Sequence, residues 1–268
     1  MFGGLPVDRV DTQAVISVLE PIWKEKPETA DRVRGRIEAV LNFAATRGHR
    51  PAGDNPARWA GHLEHTFKKR KAKERVHHAA IPYTELPEFM AALRGIDGAS
   101  ARAFEFTILN AMRTSEVLGA RWEEFDLKER VWTVPAERMK AEREHRVPLS
   151  EAAYDIVESM AAIRTGEFVF PGSKPGRPLG HSALRERLKG LRRGITPHGM
   201  RSAFSDWCAE RTAFSGEVRE MALAHVIPNK AEAAYRRGDL FDKRRQLMDA
   251  WARYCMATPA ARVVGLRG

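Results

Sequence analysis

The sequence predicts a mainly α fold with a small antiparallel β-sheet (α+β), divided into two domains. Three observations carry that reading. Most of the chain places its apolar residues at helical spacing. Two neighbouring stretches alternate instead, RVWTV (130–134) and HRVPL (145–149), which is the periodicity of strands. A loop rich in Pro, Gly and Asn (48–56) leads into the basic run KKRKAKER, and Pro82 and Pro87 follow, which reads as a linker. The expected domains are therefore 1–76, small and helical, and 77–268, larger and mixed.

Each element follows from its own pattern. Over residues 11–45, Val15, Val18 and Leu19 share one helical face. Val33, Ile37, Val40, Leu41 and Ala44 share another, with Thr29 as the expected cap. The outer face of that second helix is expected to carry Arg32, Arg34 and Arg36. In the second domain the charged connection PAERMKAERE joins the two strands as a long hairpin loop. Residues 168–171 form another short apolar run. Amphipathic helices are expected over 182–191, 196–211, 216–225 and 241–254.

Charge narrows the function. The 268 residues carry a formal net charge of +10. Residues 1–78 hold 15 basic and 10 acidic side chains and the rest 30 and 25, so each part is positive by five. An evenly basic chain suggests a polyanion partner, above all nucleic acid. Arg34 and Arg36 in the first domain, and Lys68, Lys69, Arg70 and Lys71 in the linker, are the expected phosphate contacts. Cys208 and Cys255 lie far apart with no CxxC pattern and read as reduced core thiols of a cytosolic protein. No apolar run approaches the ~18 residues of a membrane span, and the first residues lack the architecture of a signal peptide.

One stretch, ITPHGMRSAF (195–204), points to chemistry. Thr196 is placed to cap a helix and Pro197 suits its first turn. Met200, Ala203, Phe204, Trp207 and Cys208 form an apolar stripe. At about 100° per residue, His198 falls nearly opposite that stripe and Arg201 on its flank, so neither is expected in the core. Both lie where free backbone N–H groups and the helix dipole favour an anion. With nine histidines in an arginine-rich chain, one His-x-x-Arg is expected by chance. The surroundings must decide.

Those surroundings resemble the tyrosine recombinases, specifically the phage- and prophage-type integrases. LNAMRTSEVLGARWEEFDL (109–127) is similar to the family's first arginine box, which places Arg113 as the first catalytic arginine and Glu116 as the acid that braces it. ERMKAEREHRVPLS (137–150) resembles the family's β-hairpin, with its lysine at Lys140. HGMR places His198 and Arg201, and MALAHV puts His225 at the second histidine position. AAYRRGDLFDKRRQLMDAWARY puts Tyr235 at the nucleophile position. Tyr154 and Tyr254 sit in helices and read as packing residues, and Tyr83 falls at the domain junction. Five boxes stand in the family's order. Three depart from its usual wording beside the functional residue: AMR for GLR, GMR for GFR and LAH for LGH.

The resemblance implies a catalytic domain preceded by a helical core-binding domain that is incomplete at its N-terminus, the two taking opposite faces of DNA. It implies strand cleavage and rejoining through a 3′-phosphotyrosine. Tyr235 attacks phosphorus, and Arg113, Arg201 and His225 bind the non-bridging oxygens. His198 bonds the phosphate and helps take the phenolic proton, and Lys140 gives a proton to the departing 5′ oxygen. The cationic side chains do the electrostatic work of a metal ion, and no cofactor is implied. The implied partners are double-stranded DNA at attachment sites, accessory DNA-bending proteins and three further copies of the chain. The chain is thus expected to be a monomer when free and a tetramer on DNA, in a bacterial cytoplasm at the nucleoid. Two other readings fit the same residues: a non-catalytic DNA-binding prophage remnant, and a type IB topoisomerase-like nicking–closing enzyme.

Overall fold

The computed structural model describes residues 2–67, 80–192, 194–225 and 238–258. The chain separates into two units, Met1–Arg75 and Val76–Gly268. Lys68, Lys69, Arg70, Lys71 and Tyr235 lie outside the described residues.

In the first unit, helix α1 (Thr12–Trp23) begins where the Asp11 carboxylate accepts from the N–H of Ala14 at 2.8 Å. Its apolar face buries Val15, Leu19 and Trp23. Helix α2 (Pro27–Thr46) packs against it through Ala30 and Leu41. Thr29 is not the cap of α2. The helix starts at Pro27, because the fixed φ of proline suits a first turn and its missing N–H costs nothing there. Trp23 stacks on Trp59 (5.4 Å between centroids) and Phe67 (4.3 Å), which closes the small core. Arg34 departs from its expected place on the outer face. Its Nη1 donates to Glu38 (2.6 Å) and to the carbonyl of Ala57 (2.9 Å), so it fastens the loop after α2. Arg32 and Arg36 are exposed.

The second unit is built around α4 (Ala99–Leu109), which is preceded by α3 (Leu86–Arg94). Phe104, Phe106, Ile108 and Leu109 of α4 are fully buried. After the short α5 (Thr114–Leu118) come β1 (Phe125–Asp126), β2 (Val131–Val134) and β3 (His145–Pro148). The sheet is antiparallel in the order β1-β2-β3, with Trp132 opposite Val147 and Val134 opposite His145. The sequence reading places the hairpin correctly and misses β1. That strand has two residues, too few to show an alternation. Trp132 stacks on Phe125 at 5.5 Å and meets Phe106 at 5.5 Å, so the inner sheet face lies on α4.

Helices α6 (Glu151–Ala161), α7 (His181–Leu191), α8 (Pro197–Arg211), α9 (Gly216–Ala222) and α10 (Phe241–Met256) follow among the described residues. Trp251 of α10 is fully buried, touches Phe204 (5.2 Å) and Trp207 (5.0 Å), and donates from Nε1 to the carbonyl of Ile108 at 2.9 Å. Truncating such a residue typically costs about 3–5 kcal/mol. Cys208 and Cys255 are buried and unpaired. Burial pushes the Cys208 thiol up to about 12 and raises Cys255 as well, which suppresses the reactive thiolate in both. Among the described residues, no helix is long and apolar enough to cross a membrane.

Candidate active site

Two helix ends and one helix face build the site. Helix α4 ends at Leu109, and Ala111 follows in the left-handed region (φ 48°), its N–H bonded to the carbonyl of Ile108 at 3.1 Å. This turn aims the Ala111 carbonyl back into the unit and delivers Arg113 to the start of α5. There Glu116, fully buried, accepts from the Arg113 backbone N–H (2.9 Å) and from its Nη1 (2.8 Å). One carboxylate thus caps the helix and orients the guanidinium.

Helix α9 ends the same way. Ala224 is left-handed (φ 49°) and donates to the carbonyl of Met221 at 3.1 Å, while the N–H of His225 reaches the carbonyl of Glu220 at 3.0 Å. This pair of bonds is a Schellman motif, which brings the residue at His225 over the residue at Glu220. The His225 Nδ1 accordingly lies 2.7 Å from Glu220 Oε2, and Arg219 bonds the same carboxylate at 3.2 Å.

Arg201, from the second turn of α8, ties the two ends together. Its Nη1 donates to the Ala111 carbonyl, its Nη2 donates to the Leu223 carbonyl at 2.6 Å, and Nη2 also lies 3.3 Å from His225 Nε2. Arg113 in turn reaches the Ala224 carbonyl at 3.5 Å. The expectation that Arg201 stays out of the core is overturned, since only 4% of it is exposed. A single apolar stripe sets one buried face, but α8 is covered by α4, α7 and α9 together, and its flank is buried as well.

The electrostatics favour an anion. Burial first, and then the positive charge of Arg113, bring Arg201 down to about 10, with Glu116 and Glu220 opposing. It remains charged at neutral pH. His145 on β3 is pushed down to about 3 by burial and by Arg244, Arg201 and Arg113, against Asp239, so its imidazole is neutral. Two guanidinium groups that repel each other stand beside a neutral imidazole, a concentration of positive charge that an oxyanion would offset.

Of the remaining expected residues, Lys140 and His198 fall among the described ones. Lys140 is exposed on the β2–β3 connection. The base of its loop is pinned by Arg138, which bonds the Glu124 carboxylate and the Glu116 carbonyl. His198 is exposed in the first turn of α8, where Thr196 caps by accepting from Gly199 at 3.1 Å. Just past the Tyr235 segment, buried Arg244 donates to the Asp239 carbonyl (2.7 Å), the Asp239 carboxylate (2.7 Å) and the Arg146 carbonyl (2.5 Å), fixing the start of α10 to β3. Tyr83 donates to Glu210 at 2.7 Å, Tyr154 lies under Arg130, and Tyr254 donates to the Tyr83 carbonyl at 3.0 Å, so all three are engaged in packing or surface bonds.

Sequence reasoning missed Glu220, His145 and Arg244. Glu220 has a signal only if Ala224 is recognised as a left-handed helix stop, a position that glycine usually marks. His145 alternates correctly on its strand, but nothing in that pattern says which groups face it.

Residues 80–239 match the family model described as Phage integrase family, and residues 1–62 match Phage integrase central domain. The chain belongs to the phage integrase family. Within that family it is 31% identical to prophage integrase IntA of Escherichia coli (strain K12), over 98% of this chain and 63% of the relative. Prophage integrase IntZ of the same organism is 33% identical over 91% of this chain and 59% of the relative. The chain therefore spans about three fifths of the length of these curated relatives. A lambda integrase tetramer bound to a Holliday junction shares the fold, with a TM-score of 0.60 at 16% identity over 83% of this chain and 66% of that one.

Proposed function

We propose that this chain is a site-specific DNA recombinase that cuts and rejoins strands through a 3′-phosphotyrosine. The observation that carries the reading is the convergence of Arg113, Arg201 and His225 from three separate boxes onto one set of hydrogen bonds. A phosphodiester resists attack because its oxygens are negative and its leaving alkoxide is poor. Donors fixed before the reaction stabilise the charge that builds on those oxygens at no cost in reorganisation. In this role Arg113 and Arg201 bind the non-bridging oxygens and His225 adds a third donor. His198 bonds the phosphate and helps take the proton of Tyr235, which attacks phosphorus in line with the leaving 5′ oxygen. Lys140 protonates that oxygen. The phosphotyrosine keeps the bond energy for rejoining, so no external energy source is needed.

The first unit serves as the core-binding domain and the second as the catalytic domain, with exposed Arg36 and the basic run at 68–71 on phosphates. The substrate is duplex DNA at attachment sites. Strand exchange needs four copies of the chain, and accessory bending proteins bring the sites together. Solved lambda integrase complexes, one on a core site and one on a Holliday junction, support this choice of partner. The cytoplasm, at the nucleoid, is where such DNA is met.

The test is covalent trapping. A duplex nicked beside the cleavage point loses its short product strand and leaves the protein attached. The expected result is an adduct whose labelled peptide contains Tyr235 and which is lost in Tyr235→Phe. Absence of any adduct on attachment-site DNA would instead leave a DNA-binding remnant, and relaxation of plasmids lacking a site would indicate a topoisomerase.

A further inference from the structure

We infer that Glu220 makes His225 a proton-coupled ligand, so that engaging an oxyanion at Arg113 and Arg201 takes up one proton from solvent onto His225 Nε2. The inference rests on the proposed role of His225 as a phosphate donor and adds a requirement to it.

The argument begins with what each atom can do. An arginine only donates. Arg201 Nη2 stands 3.3 Å from His225 Nε2, so in this arrangement Nε2 is the acceptor and carries no proton. Nδ1 stands 2.7 Å from Glu220 Oε2, so it carries the proton and donates it to the carboxylate. A phosphate oxygen, by contrast, offers only lone pairs. For His225 to bind one, Nε2 must donate.

Two routes lead there. The imidazole exchanges tautomers, which sets the lone pair of Nδ1 against the carboxylate of Glu220. Otherwise it gains a proton, and the imidazolium donates from Nδ1 to Glu220 and from Nε2 to the phosphate. The first route needs Glu220 to be protonated. Burial pushes its carboxyl up, but the bonds from His225 and Arg219 outweigh that and hold it below the ordinary value. Glu220 therefore stays an acceptor, and the second route remains.

Among the described residues, the other charged groups around the pair do not change this outcome. Arg219 on α9 shares Glu220, Arg113 and Glu116 face Arg201 from the start of α5, and neutral His145 faces the same guanidinium groups from β3. His198 stands in the first turn of α8, exposed. The Schellman turn stacks His225 over Glu220 and keeps the two side chains within reach of each other.

The test uses sulfate, a tetrahedral oxyanion that does not titrate near neutral pH. The whole 268-residue chain is labelled with 15N-histidine, His225 is assigned with the His225→Gln variant, and chloride at equal ionic strength is the control. Without sulfate, His225 should show the neutral form with the proton on Nδ1. With saturating sulfate, both ring nitrogens should become protonated. In Glu220→Gln the amide can serve either tautomer, so sulfate should give the neutral form with the proton on Nε2. The inference is overturned if wild-type His225 stays neutral with sulfate bound, shows no response to sulfate, or already carries a proton on Nε2 without it. Covalent trapping separates the two ideas. An adduct at Tyr235 with a His225 that never gains a proton sinks only this inference. Proton uptake with no adduct sinks only the recombinase reading.

Discussion

Ala224→Gly should stabilise the second unit, while Ala111→Gly should leave it almost unchanged. Both alanines hold a left-handed backbone, at φ 49° and 48°. For an L-residue that conformation costs roughly 1–2 kcal/mol. Glycine removes the cost but returns about 0.4–1 kcal/mol to the unfolded chain as conformational freedom. The balance at Ala224, which is only half-buried, is a gain of about 0.5–1 kcal/mol. Ala111 is 1% exposed, and deleting its methyl forfeits about 0.8 kcal/mol of burial, which cancels the gain. At about 2–4 °C per kcal/mol for a unit of this size, Ala224→Gly should melt roughly 1–4 °C higher and Ala111→Gly within about a degree of the parent. Differential scanning calorimetry reads both. Ala224→Val supplies the opposite sign, because a β-branched residue tolerates a positive φ least. Equal or inverted shifts for the two glycine variants would refute the reasoning from backbone strain.

Further outcomes follow from the same geometry. His145 is held down to about 3 when folded, so between that value and the ordinary ~6.5 the unfolded chain binds a proton that the folded one refuses. Stability is therefore lost as pH falls below about 6.5, by about 2 kcal/mol at pH 5, and urea titrations of His145→Gln should lack that part of the acid slope. An unchanged slope would show that His145 is free to titrate. Arg244→Ala strips the donors from the carbonyls of Asp239 and Arg146 and should cost about 3 kcal/mol, with Arg244→Lys recovering only part; wild-type melting of the alanine variant would contradict the anchor. Affinity for duplex DNA should drop about 10³-fold between 50 and 200 mM salt if about six phosphates are contacted, and binding indifferent to salt would argue against a phosphate-led interface.

Where local chemistry decides the structure, the sequence could be read directly. Thr196 and Pro197 start α8 because a cap and a fixed φ act within one turn. The alternating runs around PAERMKAERE became β2 and β3 for the same reason. Arg34 and Arg201 depart from the faces their stripes assign because burial depends on what covers a helix from every side, and a single stripe reports one side only. The two site-building turns stayed hidden behind alanines. A glycine at residue 111 or 224 would have announced a helix stop, and with it the approach of Glu220 to His225. The distribution of donors could not be foreseen from spacing, since Arg113 and Arg201 each spend hydrogen bonds on carbonyls from another box.

That last arrangement bears on how inactive variants should be interpreted. The guanidinium of Arg201 is a rivet between two chain segments about a hundred residues apart, the one at Ala111 and the one at Leu223. Removing it leaves two inward-facing carbonyls unanswered in the interior. An alanine scan will then record a dead allele whether or not the side chain ever meets DNA. Only a substitution at Arg201 that preserves the parent's melting curve can report on chemistry, whereas Lys140, exposed on its loop, can be scored by rate alone.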